Sequence, residues 1–258
     1  MKIFIDTADL DEIRLACSWG IVDGATTNPS LIKRAVEKRG GRITMEEYIA
    51  EILKTVPGPV SLEVIALRAK EMIEQARMLY KKFGTYGDAV IKIPINPSME
   101  EGIDDFDGLR AIRQLCGERI PTNATLVMTP EQALLAAKAG ATYVSPFAGR
   151  VDDYIRERLD MREGVDFKKG DYFDPDQSKR VLERKFTERF GEESSVSKLY
   201  LSEELRKILD VGHDNGVYSG VDLVRRILKI YSNYGYKTEV IAASMRNARQ
   251  VRDVAELG

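Results

Sequence analysis

The chain has little of what metal and thiol chemistry require. With one histidine in 258 residues, a multi-histidine metal site is excluded. That residue, His213, lies in the polar run DVGHDNGV, which reads as a loop and not as a nucleophile's partner. The two cysteines, Cys17 and Cys116, are far apart and fall on apolar helix faces, so they read as buried thiols and not as a disulfide or a metal pair. No apolar run is long enough to span a bilayer, and the opening MKIFIDT carries no signal-peptide pattern, which predicts a cytoplasmic protein with no membrane partner. Neither sign of charge dominates: 39 basic residues face 41 acidic ones, for a formal charge of -2. No bulk field recruits nucleic acid or an anionic surface, so any anion binding must be local. Acid–base chemistry is left to carboxylates and lysine.

What is present is ordinary globular composition, 43% hydrophobic and 31% charged, arranged in strict alternation of strand and helix. Strands are expected at 2–6, 21–27, 59–65, 89–94, 121–127, 141–146 and 238–243. Between them, Asp9 and Glu12 have capping-box spacing, as do Thr44 and Glu47, while Asn28-Pro29 and Thr129-Pro130 are helix-start signals. Helices are also expected at 106–117, 220–234 and 245–256. A charge-rich, helical stretch at about 151–215 interrupts the rhythm and reads as an insertion within a single domain covering 1–258. Alternating units imply a parallel sheet, and seven successive strands favour an α/β, (β/α)8 TIM-type barrel whose eighth strand is not evident in the sequence.

The segment DAVIKIPI (88–95) places a lysine in a run otherwise built for burial. Side chains alternate between the two faces of a strand, which puts Lys92 inside with Val90 and Pro94. The same parity puts Asp6, Glu63, Asn123, Thr125, Ser145 and Phe147 inside, mostly at C-terminal strand ends, where barrel active sites lie. One reading is a polar layer of the core, with Lys92 in a salt bridge to Glu63 or Asp6. The other is chemical: removing an ammonium from water favours its neutral form, and a free amine attacks a carbonyl to form an iminium, an electron sink for C–C cleavage. Asp6 and Glu63 then divide the proton transfers, Asn28 and Asn123 fix substrate hydroxyls, and Thr125 holds a water between Glu63 and Lys92.

Two short runs could supply the local anion site. Ser145 and Arg150 (SPFAGR) follow one late strand, and Ser244 and Arg246 (AASMRN) follow the next. Each arginine alone reads as a surface charge, whereas the pair with helix N-terminal amides suits a phosphate.

The stretches FIDTA (4–8), DGATTNPSLI (23–32), SLEV (61–64), VIKIP (90–94), TNATL (122–126), ATYVSPFAGRVDD (141–153) and GYKTEVIAASMRN (235–247) together resemble the transaldolase family, which includes the fructose-6-phosphate aldolases. The resemblance implies a cofactor-independent barrel enzyme of carbohydrate metabolism, in the pentose phosphate pathway. It would move a dihydroxyacetone unit between sugar phosphates through a lysine Schiff base, as a homo-oligomer. It makes Lys92 the nucleophile and Asp6 and Glu63 the acid–base groups, with the water-holding Thr125 completing the catalytic set. Substrate binding would fall to Thr26, Asn28, Asn123, Ser145, Phe147, Arg150, Ser244 and Arg246. Glu63, Phe147 and Arg246 resemble the transferase members, where aldolases carry glutamine for the first and tyrosine for the second. Some relatives take sulfonated sugars, and the pattern also fits a sugar-phosphate binding protein without turnover.

Overall fold

The structure, a computed structural model, describes residues 1–40, 43–96, 106–190 and 217–258. These divide into two compact units: Met1–Val127 with Glu131–Ser145 and Gly235–Ile241, and Met128–Pro130 with Pro146–Tyr234 and Ala242–Gly258.

The first unit holds the sheet. Its strands are β1 (Phe4–Asp6), β2 (Gly24–Thr26), β3 (Val60–Glu63), β4 (Ala89–Pro94), β5 (Thr122–Val127), β6 (Tyr143–Pro146) and β7 (Glu239–Val240). They lie in chain order as a seven-stranded sheet, and the registers given for them are parallel. No eighth strand occurs among the described residues. Helices α1 (Leu10–Ser18), α2 (Pro29–Lys38), α3 (Met45–Thr55), α4 (Ala69–Phe83), α5 (Asp107–Gly117) and α6 (Pro130–Ala139) connect successive strands, with α2 and α3 both between β2 and β3. Such a crossover pattern is that of a TIM-type α/β fold. The sheet curls: Lys2, just before β1, reaches Glu239 of β7 at 2.7 Å, and the rings of Phe4 and Tyr143 stand 6.2 Å apart.

The core explains where these elements sit. Leu10, Ile13, Tyr48, Ile52, Leu53, Val60 and Phe83 pack as one buried cluster, with Cys17 partly buried against it. Within that cluster the Tyr48 hydroxyl donates to the carbonyl of Ala8 at 2.8 Å and accepts from the amide of Leu10 at 3.2 Å, tying α3 to the turn after β1. Both cysteines are free and only partly buried, less enclosed than the sequence suggested. The Thr44–Glu47 capping box forms, but the one expected at Asp9 does not. Asp9 accepts from the amide of Asp11, and Glu12 instead accepts the nearby Thr7 hydroxyl at 2.6 Å, which competes for its carboxylate.

The second unit contains α7 (Ala148–Arg158), α8 (Pro175–Phe190), α9 (Gly220–Tyr234) and α10 (Ala248–Ala255). The stretch expected at 151–215 therefore begins within α7 and includes α8. His213 and the rest of 191–216 lie outside the described residues. The strand expected over 238–243 pairs only at Glu239–Val240, and one bridge, Phe147 to Ala243, follows it. Ser244 stands at φ +62, a left-handed turn that ends the extended backbone. Asn247 then accepts from the amide of Gln250, so the last helix starts at Ala248, later than expected.

Candidate active site

In a parallel sheet, residues in register share a face, and the register gathers the polar residues of the first unit. Asp6 lies opposite Thr26, Thr26 opposite Ser61, Glu63 opposite Lys92, Lys92 opposite Asn123, and Pro94 opposite Thr125. All six residues of β4 are buried, and Lys92 is only 6% exposed. Its ammonium donates to the carbonyl of Thr27 at 3.0 Å and lies 3.1 Å from the Glu63 carboxylate. The Lys92 charge is thus paired with a carboxylate and hydrogen-bonded, as a buried charge must be.

The neighbouring groups are equally constrained. Asn123, fully buried, donates to the Ser61 hydroxyl at 3.1 Å and accepts from the Ser145 hydroxyl at 2.8 Å. Thr26 donates to Asp6 at 2.8 Å, and Asp6 itself is exposed at the end of β1 instead of enclosed. The parity rule gives a face, not a depth, and β1 is an edge strand of the described sheet. Asn28 caps α2 through its oxygen, which accepts from Leu31 at 2.9 Å; its amide nitrogen is the atom it can offer a ligand. The buried Thr125 hydroxyl has no hydrogen-bond partner among the described residues. Sequence reasoning missed Ser61, although it has the parity of Glu63. The Thr27 carbonyl carries no side-chain signal at all.

In the second unit, the candidate anion ligands gather at the start of α7 and the turn after β7. Arg150 is exposed, its guanidinium 5.0 Å from the centre of the Phe147 ring, and Phe147 is half-buried. Arg246 donates to Asp153 at 2.5 Å, while its buried Nε has no partner among the described residues. A Cβ on Gly149 would stand 2.0 Å from the carbonyl of Ser244 and 2.9 Å from Cγ of Arg246, so α7 and the Ser244 turn are packed backbone to backbone. Arg246 therefore lies against the residue next to Arg150.

Asp152 is buried between these groups. Its two oxygens accept from the amide of Gly220 and from the Gln250 side chain, each at 2.7 Å. Burial pushes its carboxyl up to about 6, against the pull of the Gly220 amide and the Arg156 charge. Arg156, 1% exposed, stacks on Phe167 at 4.4 Å and Phe173 at 5.3 Å and donates to the carbonyl of Asp171 at 2.8 Å. Beside it, Tyr172 donates to Asp253 at 2.6 Å, and Asn247 donates to the carbonyl of Gly170 at 3.1 Å. These contacts hold the 159–173 segment to α7 and to both ends of α10.

The first unit can thus present a buried amine, a carboxylate within reach of it and a hydroxyl with free hydrogen-bonding capacity. The second can present two guanidinium groups. Among the described residues no group of three or more His, Cys, Asp or Glu side chains is placed to hold a metal ion, and no helix is long and apolar enough to cross a membrane.

Residues 3–258 match the family described as Transaldolase/Fructose-6-phosphate aldolase. A protein of Coprothermobacter proteolyticus named "Probable transaldolase" is 37% identical over 258 residues, covering 100% of this chain and 82% of its own length. One of Desulfotalea psychrophila with the same name is 39% identical over 259 residues, covering 100% and 83%. A third so named, from Thermoplasma acidophilum, is 56% identical over 155 residues, 59% of this chain and 62% of its own length, so this match spans less than two thirds of that relative.

Proposed function

Since the chain belongs to the transaldolase/fructose-6-phosphate aldolase family, we propose that it is a transaldolase, transferring a dihydroxyacetone unit from a ketose phosphate to an aldose phosphate through a Schiff base on Lys92. The observation that carries this reading is the enclosed Lys92 ammonium with the Glu63 carboxylate 3.1 Å away. That pairing lets a proton leave the amine for Glu63 without crossing solvent.

In this reading the free amine adds to the ketose carbonyl and gives a carbinolamine. Loss of the hydroxyl as water, with a proton supplied from Glu63 by way of a molecule held at Thr125, forms the iminium. Asp6 then removes the proton from the hydroxyl beside the C3–C4 bond. That bond breaks, its electron pair moves into the iminium to give an enamine, and an aldose phosphate leaves. The enamine attacks the aldehyde of the acceptor, Asp6 returns the proton, and water releases the new ketose. Asn28 and Asn123 bind the donor hydroxyls with Thr26 and Ser145, and Arg150, Ser244 and Arg246 take the phosphate. The three-carbon intermediate must survive until an acceptor arrives, and Phe147 serves this by offering an apolar ring where a hydroxyl would bring a proton. The reading needs no cofactor and takes the protein as a cytoplasmic homo-oligomer.

Borohydride reduction with fructose 6-phosphate, followed by peptide mass mapping, tests the chemistry. A dihydroxyacetone-derived adduct on Lys92, absent in Lys92→Met, is expected. A folded wild-type protein with no adduct would rule out this function. Adding erythrose 4-phosphate should give sedoheptulose 7-phosphate, and release of free dihydroxyacetone in its place would make the protein an aldolase.

A further inference from the structure

Arg246 is gripped from two consecutive carboxylates of α7. Asp153 takes its guanidinium at 2.5 Å. Asp152 acts one residue further away: the Gln250 side chain donates to Asp152 at 2.7 Å, and its oxygen accepts the backbone amide of Arg246 at 2.9 Å. The other Asp152 oxygen accepts from Gly220 at the start of α9, 2.7 Å away. Asp152 is 3% exposed and Gln250 2%, so solvent replaces none of these bonds. A carboxylate only accepts, so the Gln250 amide must turn its nitrogen toward Asp152 and its oxygen toward Arg246. The chain Gly220, Asp152, Gln250, Arg246 therefore has one orientation throughout.

The turn that this chain holds lies beyond the sheet ladder, where backbone packing on Gly149 and the Arg246–Asp153 pair also bear on it. The β7 ladder ends at Val240, one bridge follows at Ala243, and Ser244 sits at φ +62, a conformation that a non-glycine residue keeps only when its surroundings impose it. The start of α7 is shaped to allow the approach: a Cβ on Gly149 would stand 2.0 Å from the carbonyl of Ser244, and one on Gly220 would stand 2.1 Å from that of Ala148. Among the described groups, Arg246 keeps its buried Nε without a hydrogen-bond partner. It is a donor held ready beside the guanidinium nitrogen that Asp153 already occupies.

We propose that Asp152 and Gln250 are positioning residues for sugar-phosphate binding, a buried carboxylate–amide relay that fixes the Arg246 backbone against the start of α9 and so aims its guanidinium. This inference rests on the reading of Arg246 as a phosphate ligand. An ordinary helix-end brace would make the same bonds, and the two roles differ in what breaking the relay does to substrate.

Exchanging the two groups tests the relay. Asp152→Asn alone sets an amide donor against the donor of Gln250 or of Gly220, and Gln250→Glu alone sets two carboxylates face to face. The double variant, D152N with Q250E, restores every donor–acceptor match: the new carboxylate on α10 accepts both from the new amide on α7 and from the backbone of Arg246. Each single variant is expected to raise KM for fructose 6-phosphate about tenfold, the effect of one unmatched buried polar group, with kcat changed far less. Borohydride trapping of dihydroxyacetone, which carries no phosphate, should continue on Lys92 in both. The double variant should return KM to near the wild-type value.

Single variants that leave KM unaltered in an active enzyme overturn the relay and leave the functional reading intact. If a single variant unfolds, the double must recover melting temperature and KM together, and recovery of melting temperature alone reduces the relay to a brace. A wild-type protein that traps neither sugar on Lys92 fails the functional reading itself, and the relay's role falls with it.

Discussion

Gly149→Ala inverts an ordinary expectation. Gly149 lies in the first turn of α7 with no positive φ, and alanine inside a helix is normally favoured over glycine by roughly 0.5–1 kcal/mol. Here the new methyl carbon would stand 2.0 Å from the carbonyl oxygen of Ser244, with Cγ and Nε of Arg246 at 2.9 and 3.0 Å. The arginine can swing, but the carbonyl is backbone, and restoring ordinary contact requires the turn to retreat by more than about 1 Å. Forced overpacking costs about 1–3 kcal/mol and occasionally more. The predicted net effect is a loss of about 2 kcal/mol, a melting-temperature drop of roughly 4–8 °C for a chain of this size. A retreat of that size at Ser244 and Arg246 should also raise KM for a phosphorylated ketose by tenfold or more, since displacements near 1 Å can cost about a hundredfold. Gly117→Ala is the control, because a Cβ there meets nothing within 4 Å, and it should leave stability level or raise it. Calorimetry and steady-state kinetics on both variants decide the matter. A Gly149→Ala protein as stable as wild type with unaltered KM would refute the backbone packing described here.

Other substitutions probe separate parts of the molecule. The buried Thr122 hydroxyl lacks a partner among the described residues, so Thr122→Val should be neutral or stabilising by up to about 1 kcal/mol in urea unfolding; a loss above that would mean the hydroxyl is satisfied. Lys92→Met and Glu63→Gln should couple by roughly 1–3 kcal/mol in a double-mutant cycle, and additivity within about 0.5 kcal/mol would deny the 3.1 Å pair. Asp152, with a folded value near 6 against an ordinary 3.8, binds its proton more readily folded than unfolded. Its contribution to stability therefore falls as pH rises from about 4 to about 6 and is flat above, on the order of 3 kcal/mol in all. Asp153, Arg156 and Arg246 surround it, and Tyr172 also feels its charge. Comparing the pH dependence of unfolding with that of Asp152→Asn should isolate this slope, and identical profiles would contradict it. Phe147→Tyr should increase release of free dihydroxyacetone from fructose 6-phosphate in a coupled assay, and no gain would remove the role given to the apolar ring.

Much of the fold was legible because periodicity reports burial. The fully buried run of β4 and the Thr44 capping box are local patterns with strong physical causes, and the helix over 220–234 was placed at both ends. The errors were also physical. Strand parity identified the face on which Asp6 lies but not its exposure, which depends on what stands beside an edge strand. The Asp9 box failed because Thr7 offered Glu12 a competing hydroxyl. The strand over 238–243 was overlong because nothing in AAS announces a left-handed serine. For the candidate site, parity put Glu63, Lys92 and Asn123 on one face, and the register sets them side by side. It could not supply the carbonyl of Thr27 or the partnership of Asp152 with Gln250, since backbone acceptors and contacts between residues 98 apart leave no spacing to read.

Strand order that follows chain order also bears on how the protein is made. Every strand from β2 to β5 finds its neighbours among the segments synthesised just before and just after it. Up to β6, a growing polypeptide can add one strand–helix unit at a time to an edge already formed, with short loop closures at each addition, whereas β7 joins β6 from far along the chain. The meeting of Lys2 with Glu239, 237 positions apart, has to wait for nearly the whole chain, as do the contacts of Gln250 with Asp152 and of Asp253 with Tyr172. Until then the newest strand offers an unpaired edge, the surface on which a stalled or shortened chain would be most prone to aggregate.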